Sequence, residues 1–250
     1  MRFALLLLTL LLTALPTARA QDAAAWGMVM QVAAPAVDPV WDSLVAYYPL
    51  DGTATDSTGN YTGTVTGATS STNVPFAAAG TSYNFDASGD YITTTLAPNI
   101  NPSATAYSMA AWIKTDSSAN TLRLFLATAI GSNQRCYFSY DGTSEQLLYN
   151  TSDGSAADDL YSASGVSVLT WHHAAVVFDG SGDMLMYLNG VLENTLIGID
   201  SYTTTGDLTI GALPGGSAGF FGQIDEVGIW NRATTSNEIY RIYSEQLTYP

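Results

Sequence analysis

The 250-residue chain contains one cysteine, two histidines and only seven lysine and arginine residues, against 22 aspartates and glutamates. A single cysteine makes no internal disulfide, so the fold must be held by its core alone. Cys136 alternates with Phe138 and Tyr140 along Arg135–Tyr140 and reads as a buried, inert thiol. The two histidines are neighbours, His172 and His173. On a strand they face opposite ways, so they do not ligate one metal together. A Ser-His-Asp triad would need one of them in a cleft with partners that the sequence does not identify. Scarce basic residues and a formal charge of −15 exclude phosphate backbones and anionic membranes as natural partners. Calcium, and neutral or hydroxyl-rich ligands, suit such a surface better. Solubility in a salty medium would explain the same acidity.

Long apolar runs are also lacking, with one exception. Met1-Arg2 precedes the apolar stretch Phe3–Leu15, and Pro16–Ala20 ends in a small-x-small pattern. This is expected to be a secretory signal peptide over residues 1–20, because the run is shorter than the ~20 residues a spanning helix needs. Export to the periplasm or the extracellular space follows, with no membrane insertion once the signal is removed. Residues 21–43 are rich in alanine, carry Pro35 and Pro39, and read as a spacer. Residues 44–250 read as one domain.

What is present is a succession of short strands. The expected set is Val45–Tyr48, Tyr61–Thr66, Ser82–Phe85, Tyr91–Thr94, Ser108–Ile113, Thr121–Ala127, Arg135–Tyr140, Gln146–Tyr149, a meander from Trp171 to Asn194, Leu208–Ile210 and Gly222–Trp230. Clusters of Gly, Asn, Asp, Ser and Thr separate them. In the meander, Asn189-Gly190 predicts a type I′ hairpin, since both residues tolerate positive φ. One helix is expected near the C-terminus, where Thr235–Glu238 forms a capping box ahead of Ile239, Ile242 and Tyr243. The fold class is all-β, a two-sheet antiparallel sandwich with one short C-terminal helix.

LVAYYPLDGTATDSTGN (44–60), YNFDASGDYI (83–92), YSMAAWIKTD (107–116), the WHH-to-NGVL meander and FFGQIDEVGIWNRATTSNEI (220–239) occur in one order and spacing. Together they resemble the laminin-G-like jelly roll of the concanavalin A-like lectin/glucanase superfamily. The resemblance implies a concanavalin A-like jelly roll for residues 44–250. It does not choose among lectins, adhesion modules, carbohydrate-binding appendages and glycosidases.

Three constellations carry chemistry. Asp51, Asp56 and Asn60 lie on one glycine-containing loop and offer the spaced oxygens that calcium takes. They are equally the Asx residues that fold such a loop on themselves. The resemblance adds Asp225 of GQIDEV to the metal set, with a structural Ca2+ joining the first loop to a late strand. Second, strand parity places Arg123, Arg135 and Tyr137 on one exposed face, if Leu122, Leu124 and Leu126 point inward and Phe125 outward. This would be a sugar-binding face, arginines gripping an acidic group and aromatics stacking on rings. Cross-strand aromatic pairing alone also accounts for it. Third, glucanases of the superfamily carry Glu-x-Asp-x-x-Glu, but this chain has Gln223 and Gly228 at the outer positions. No two of its five glutamates share a strand at i, i+2 or i+4, so the paired carboxylates of retaining hydrolysis are not in evidence. Asn60-Tyr61-Thr62 and Asn150-Thr151-Ser152 match the glycosylation pattern. The expectation is a non-catalytic recognition module for a glycan or cell-surface polymer. A protein-contact module is the alternative, and a glycosidase or lyase with a dispersed site a third.

Overall fold

A computed structural model describes residues 38–250, apart from 87–88, 97–104, 117–121, 131–133, 153, 155 and 200–205. The expected signal peptide, most of the expected spacer and Thr121 lie outside the described residues. The strands are β1 (Leu44–Tyr48), β2 (Gly63–Thr66), β3 (Thr69–Ser71), β4 (Ser82–Phe85), β5 (Tyr91–Thr94), β6 (Tyr107–Thr115), β7 (Leu122–Ile130) and β8 (Gln134–Asp141). They continue with β9 (Gln146–Ser152), β10 (Ala157–Tyr161), β11 (His172–Phe178), β12 (Asp183–Leu188), β13 (Val191–Ile197), β14 (Leu208–Ile210) and β15 (Gly222–Trp230). One helix, α1 (Ser236–Ser244), follows. Among the described residues these strands form two antiparallel sheets. An eight-stranded sheet runs β13-β12-β11-β6-β15-β4-β3 with β1 also on β15, and a seven-stranded sheet runs β10-β9-β8-β7-β14-β5-β2.

Between the sheets lies a core that takes alternate residues from each strand. Met109, Ala111 and Ile113 come from β6, Phe138 and Tyr140 from β8, and Val176 and Phe178 from β11. Burial of these side chains at roughly 25 cal/mol per Å2 is what holds a sandwich that has no disulfide. Cys136 is buried in the same core, its Sγ 3.4 Å from Thr151 Oγ1. The meander folds as its sequence predicts. Leu188 pairs with Val191, while Asn189 (φ 51) and Gly190 (φ 77) make the turn between them. At Gly190 a Cβ would also press on Tyr243 and Tyr240 of the helix, so glycine is required there twice over.

Parity fails in β7. The register with β8 slips between Leu124 and Leu126, leaving Phe125 as a bulge. Phe125 is fully buried in the main core, its ring 4.5 Å from that of Phe138. Leu124 pairs with Ser139, on the opposite side from Arg123, which pairs with Tyr140. The inserted residue exchanges the two faces of the strand, so the expectation that Phe125 points outward is corrected. Strands β3 and β10 had no counterpart in the sequence reading. Their sequences, TSS and ADDLY, lack an apolar alternation.

The outer face of the eight-stranded sheet carries a second apolar layer. Ala110, Ala175, Val177, Tyr187 and Trp230 project outward and are covered by Ile239 and Ile242 of α1. The helix begins at the expected capping box, with Thr235 and Glu238 bonded reciprocally. Residues 38–43, read from sequence as spacer, belong to this layer. Pro39–Trp41 forms a 3-10 turn capped by Asp38, and Trp41 stacks on Trp230 with centroids 6.0 Å apart. Asp38 is paired with Arg241 of α1 at 2.6 Å. The packed body therefore extends back past Leu44 to Asp38.

Candidate functional site

The first loop is organised by Asp56. Its carboxylate is buried at 2 % exposure and accepts five hydrogen bonds. Oδ1 takes the N–H groups of Tyr47 (2.8 Å) and Thr58 (3.0 Å). Oδ2 takes the Thr58 hydroxyl (2.6 Å) and the N–H groups of Asn60 (3.2 Å) and Tyr61 (3.0 Å). A carboxylate has about four lone-pair sites, and donors from its own loop and β1 occupy them. Asp56 is thus the residue that folds the loop, and the Asx alternative describes it. The exposed Asn60 donates its side-chain N–H to Thr58 Oγ1. Both Asp56 oxygens are therefore engaged within the chain.

Asp51 and Asp225 are a different pair. Asp225 is fully buried on β15, its Oδ1 accepts the Glu226 N–H at 3.1 Å, and its Oδ2 has no hydrogen-bond partner. Burial, and to a smaller extent the nearby Asp51 charge, push its pKa up to about 9. Asp51 Oδ1 accepts the Thr81 N–H at 2.6 Å, and its carboxylate lies where a side chain on Gly80 (φ 64) would collide. An orphaned buried carboxylate oxygen next to a second carboxylate is the arrangement that a divalent cation relieves. Among the described residues no three His, Cys, Asp or Glu side chains cluster in a way that would hold a metal. An ion here would draw its remaining oxygens from main-chain carbonyls and water. Two of the four residues in the expected metal set, Asp51 and Asp225, fit that chemistry.

Beside Asp225, Glu226 is also buried, and burial raises its pKa to about 8. The Tyr47 hydroxyl donates to Glu226 Oε2. These two acids stand shut away under the outer layer of the eight-stranded sheet.

The seven-stranded sheet carries the second constellation. Arg135 and Tyr137 share its outer face, the guanidinium carbon 5.5 Å from the phenol centroid. Arg135 Nε donates to Asn150 Oδ1 at 2.9 Å, and Asn150 Nδ2 donates to Asp159 Oδ1 at 2.6 Å. The three side chains form one polar row across β8, β9 and β10. Asn150 came up in the sequence only as a glycosylation pattern; at 7 % exposure and bonded at both ends it is a member of this row instead. Arg123 is not part of the face. Its guanidinium lies 4.2 Å over the Phe221 ring and Nη1 donates to the Gly219 carbonyl at 3.4 Å. The β7 bulge separates it from Arg135 and Tyr137.

His172 and His173 face opposite sides, as parity requires. His173 is fully buried opposite Trp112, and burial lowers its pKa to about 3. His172 is bonded to Ser167 Oγ (3.0 Å) and Asn189 Nδ2 (3.1 Å).

A family model described as Concanavalin A-like lectin/glucanases superfamily (Laminin_G_3) matches residues 85–240. No curated protein gives a match. The fold is similar to domain 4 of AbnA, a GH43 extracellular arabinanase from Geobacillus stearothermophilus, in complex with arabinotriose. That match has a TM-score of 0.67 at 19% identity, over 81% of this chain and 98% of that one. It is also similar to the binding domain of Paraclostridial Mosquitocidal Protein 1, with a TM-score of 0.67 at 13% identity, over 83% of this chain and 53% of that one. A third similar structure is the botulinum neurotoxin serotype D ligand binding domain in complex with N-acetylneuraminic acid. Its TM-score is 0.65 at 15% identity, over 82% of this chain and 51% of that one. The chain thus spans about half the length of the two toxin structures. At these identities the likeness establishes the fold.

Proposed function

The chain belongs to the concanavalin A-like lectin/glucanase superfamily, and on that footing we propose that it is an exported, non-catalytic module that recognises a glycan or surface polymer and carries a structural calcium ion. The observation behind the recognition reading is the Arg135–Asn150–Asp159 row beside Tyr137. Donors and acceptors held in place by one another, next to an aromatic ring, are what a sugar needs for orientation and stacking. Similar folds in complex with arabinotriose and N-acetylneuraminic acid support the ligand class. The non-catalytic reading rests on the acids: Asp225 and Glu226 are buried and raised, which suits a protonated or metal-bound state better than a solvent-facing hydrolytic pair. Export rests on the Phe3–Leu15 run, and no helix among the described residues is long and apolar enough to cross a membrane.

In this reading Asp51 and Asp225 hold the calcium, which supplies positive charge to a buried carboxylate and ties the first loop to β15. One observation favours a protein-contact module instead. Strand β13 lies at a sheet edge and exposes Val191, Leu192 and Ile197, a surface suited to pairing with another chain. A glycan array with the full chain, with and without calcium, decides between the two. Binding to at least one glycan class is expected. Binding to none overturns the recognition reading.

A further inference from the structure

On the outer face of the eight-stranded sheet, away from the Arg135 row, a cavity of about 540 Å3 opens between the start of β11 and the last turn of α1. That volume falls in the range of small-ligand sites, roughly 300–1,000 Å3. Its walls are aromatic and rigidly held. Trp112 is packed edge-on by Phe76 at 5.6 Å and by His173 at 5.4 Å, and Tyr243 stacks on it at 5.6 Å. Trp171 is half-buried, and its indole N–H is fixed to Asn73 Oδ1 at 2.8 Å. Around these rings stand Thr170, Asn189, Ser244 and Gln246, which supply hydroxyl and amide groups.

Among the described residues no aspartate, glutamate, lysine or arginine lines the cavity, in a chain whose net charge is −15. Burial lowers the pKa of His172, the imidazole in the lining. Two further features set the rim. Leu169, next in the chain to Thr170, is 64 % exposed and held at φ 61, a strained placement for a leucine. Gln246 sits at φ 52 because it ends the helix, with the Leu247 N–H returning to the Ile242 carbonyl.

We propose that this cavity is a binding site for a neutral saccharide unit, one ring stacked on Trp171 against the Trp112–Tyr243 floor and its hydroxyls bonded by Thr170 and Gln246. An uncharged lining offers an acidic sugar no counter-charge and would leave it desolvated and unpaired. A neutral ring has apolar C–H faces for the indoles and hydroxyls for the amides. The inference rests on the glycan-recognition reading and adds to it a second site on the opposite sheet.

The test titrates the full chain with arabinotriose, cellotriose and 3′-sialyllactose by calorimetry and tryptophan fluorescence. A neutral trisaccharide is expected to quench the fluorescence, with an affinity unchanged between 0.05 and 0.5 M NaCl, while sialyllactose leaves this signal unmoved. Trp171→Ala is expected to weaken binding at least about tenfold, and Trp171→Phe to restore most of it. Ser244→Arg adds an exposed side chain at a helix C-terminus, which folding tolerates, and is expected to block the cavity to the same extent. Retained wild-type binding in both Trp171→Ala and Ser244→Arg, with loss in Tyr137→Ala, overturns the cavity and keeps recognition on the Arg135 face. Binding of none of the three probes overturns the cavity. If a wider glycan array is also silent, the recognition reading falls with it.

Discussion

His173 and Trp112 stand opposite each other on neighbouring strands, their rings 5.4 Å apart and 61° from coplanar, with His173 Nδ1 making no hydrogen bond. The imidazole is a neutral aromatic filler on the outer face of the sheet, packed also against Tyr243. Its pKa is lowered from 6.5 to about 3 by burial. A folded-state pKa below the unfolded one means that the unfolded chain binds the extra proton between these values. Stability is therefore undiminished above pH 6.5 and falls as the pH drops from 6.5 toward 3, by roughly 1.4 kcal/mol per unit. His173→Phe is expected to remove this slope. Urea midpoints of both proteins at pH 7.0, 5.5 and 4.5 measure it, and parallel pH profiles would show that the ring is charged or solvated in the fold. Asp225 and Glu226, raised by burial, act in the opposite sense and are common to both proteins.

The two aspartates assigned to different tasks are expected to respond differently to calcium. Asp56→Ala leaves several loop N–H groups without an acceptor and should cost about 2–4 kcal/mol with or without chelator. Asp225→Asn should cost little in EDTA, where the group is a protonated acid, yet lose the calcium-dependent rise in melting temperature. For the wild-type chain that rise corresponds to about 2.7 kcal/mol at a hundredfold excess over Kd. Thermal melts in EDTA and in millimolar calcium check all three proteins. A wild-type Tm indifferent to both conditions removes the ion from the account.

Trp41 is 6 % exposed and touches the rings of Trp230, Tyr47 and Tyr249. Truncation to alanine should cost about 3–5 kcal/mol, as for other large aromatic residues removed from a core. Residues that merely led into a domain would give a change within about 0.5 kcal/mol. Chemical denaturation of Trp41→Ala distinguishes these.

Helix α1 covers the outer apolar layer, and its capping box sets where it begins. Thr235→Ala is expected to cost about 1 kcal/mol, and Thr235→Ser to restore most of that. Should the helix owe its start to packing alone, both variants would melt with the wild type.

Much of the fold was legible because its signals are local. A type I′ turn at Asn189-Gly190 needs two residues that accept positive φ, and a capping box needs Thr235 and Glu238 at their spacing. Alternating residues marked β8, and short apolar runs marked β6 and β11, for the same reason: such signals lie within a few positions of one strand. The candidate sites were less legible. Whether Asp56 offers oxygens to a metal depends on where Tyr47 and Tyr61 bring their N–H groups. Asp225 drew notice through a family pattern, but its unpartnered Oδ2 exists only because β15 is buried. Trp112, Trp171 and Tyr243 come from three distant parts of the chain, and no spacing rule would gather them into one cavity.

The sequence by itself determined the all-β class, the positions of most strands, the one capped helix and the absence of disulfide support. Each follows from residues within a few positions of one another. The tertiary structure alone decided that Phe125 turns inward, that Arg123 leaves the face of Arg135 and Tyr137, and that residues 38–43 belong to the domain. All three depend on a partner far along the chain. The Leu124 N–H is taken by the Ala218 carbonyl at the bulge, Arg123 lies over Phe221, and Trp41 lies on Trp230. A one-residue slip against such a partner exchanges the two faces of a strand, and alternation within the strand cannot report it.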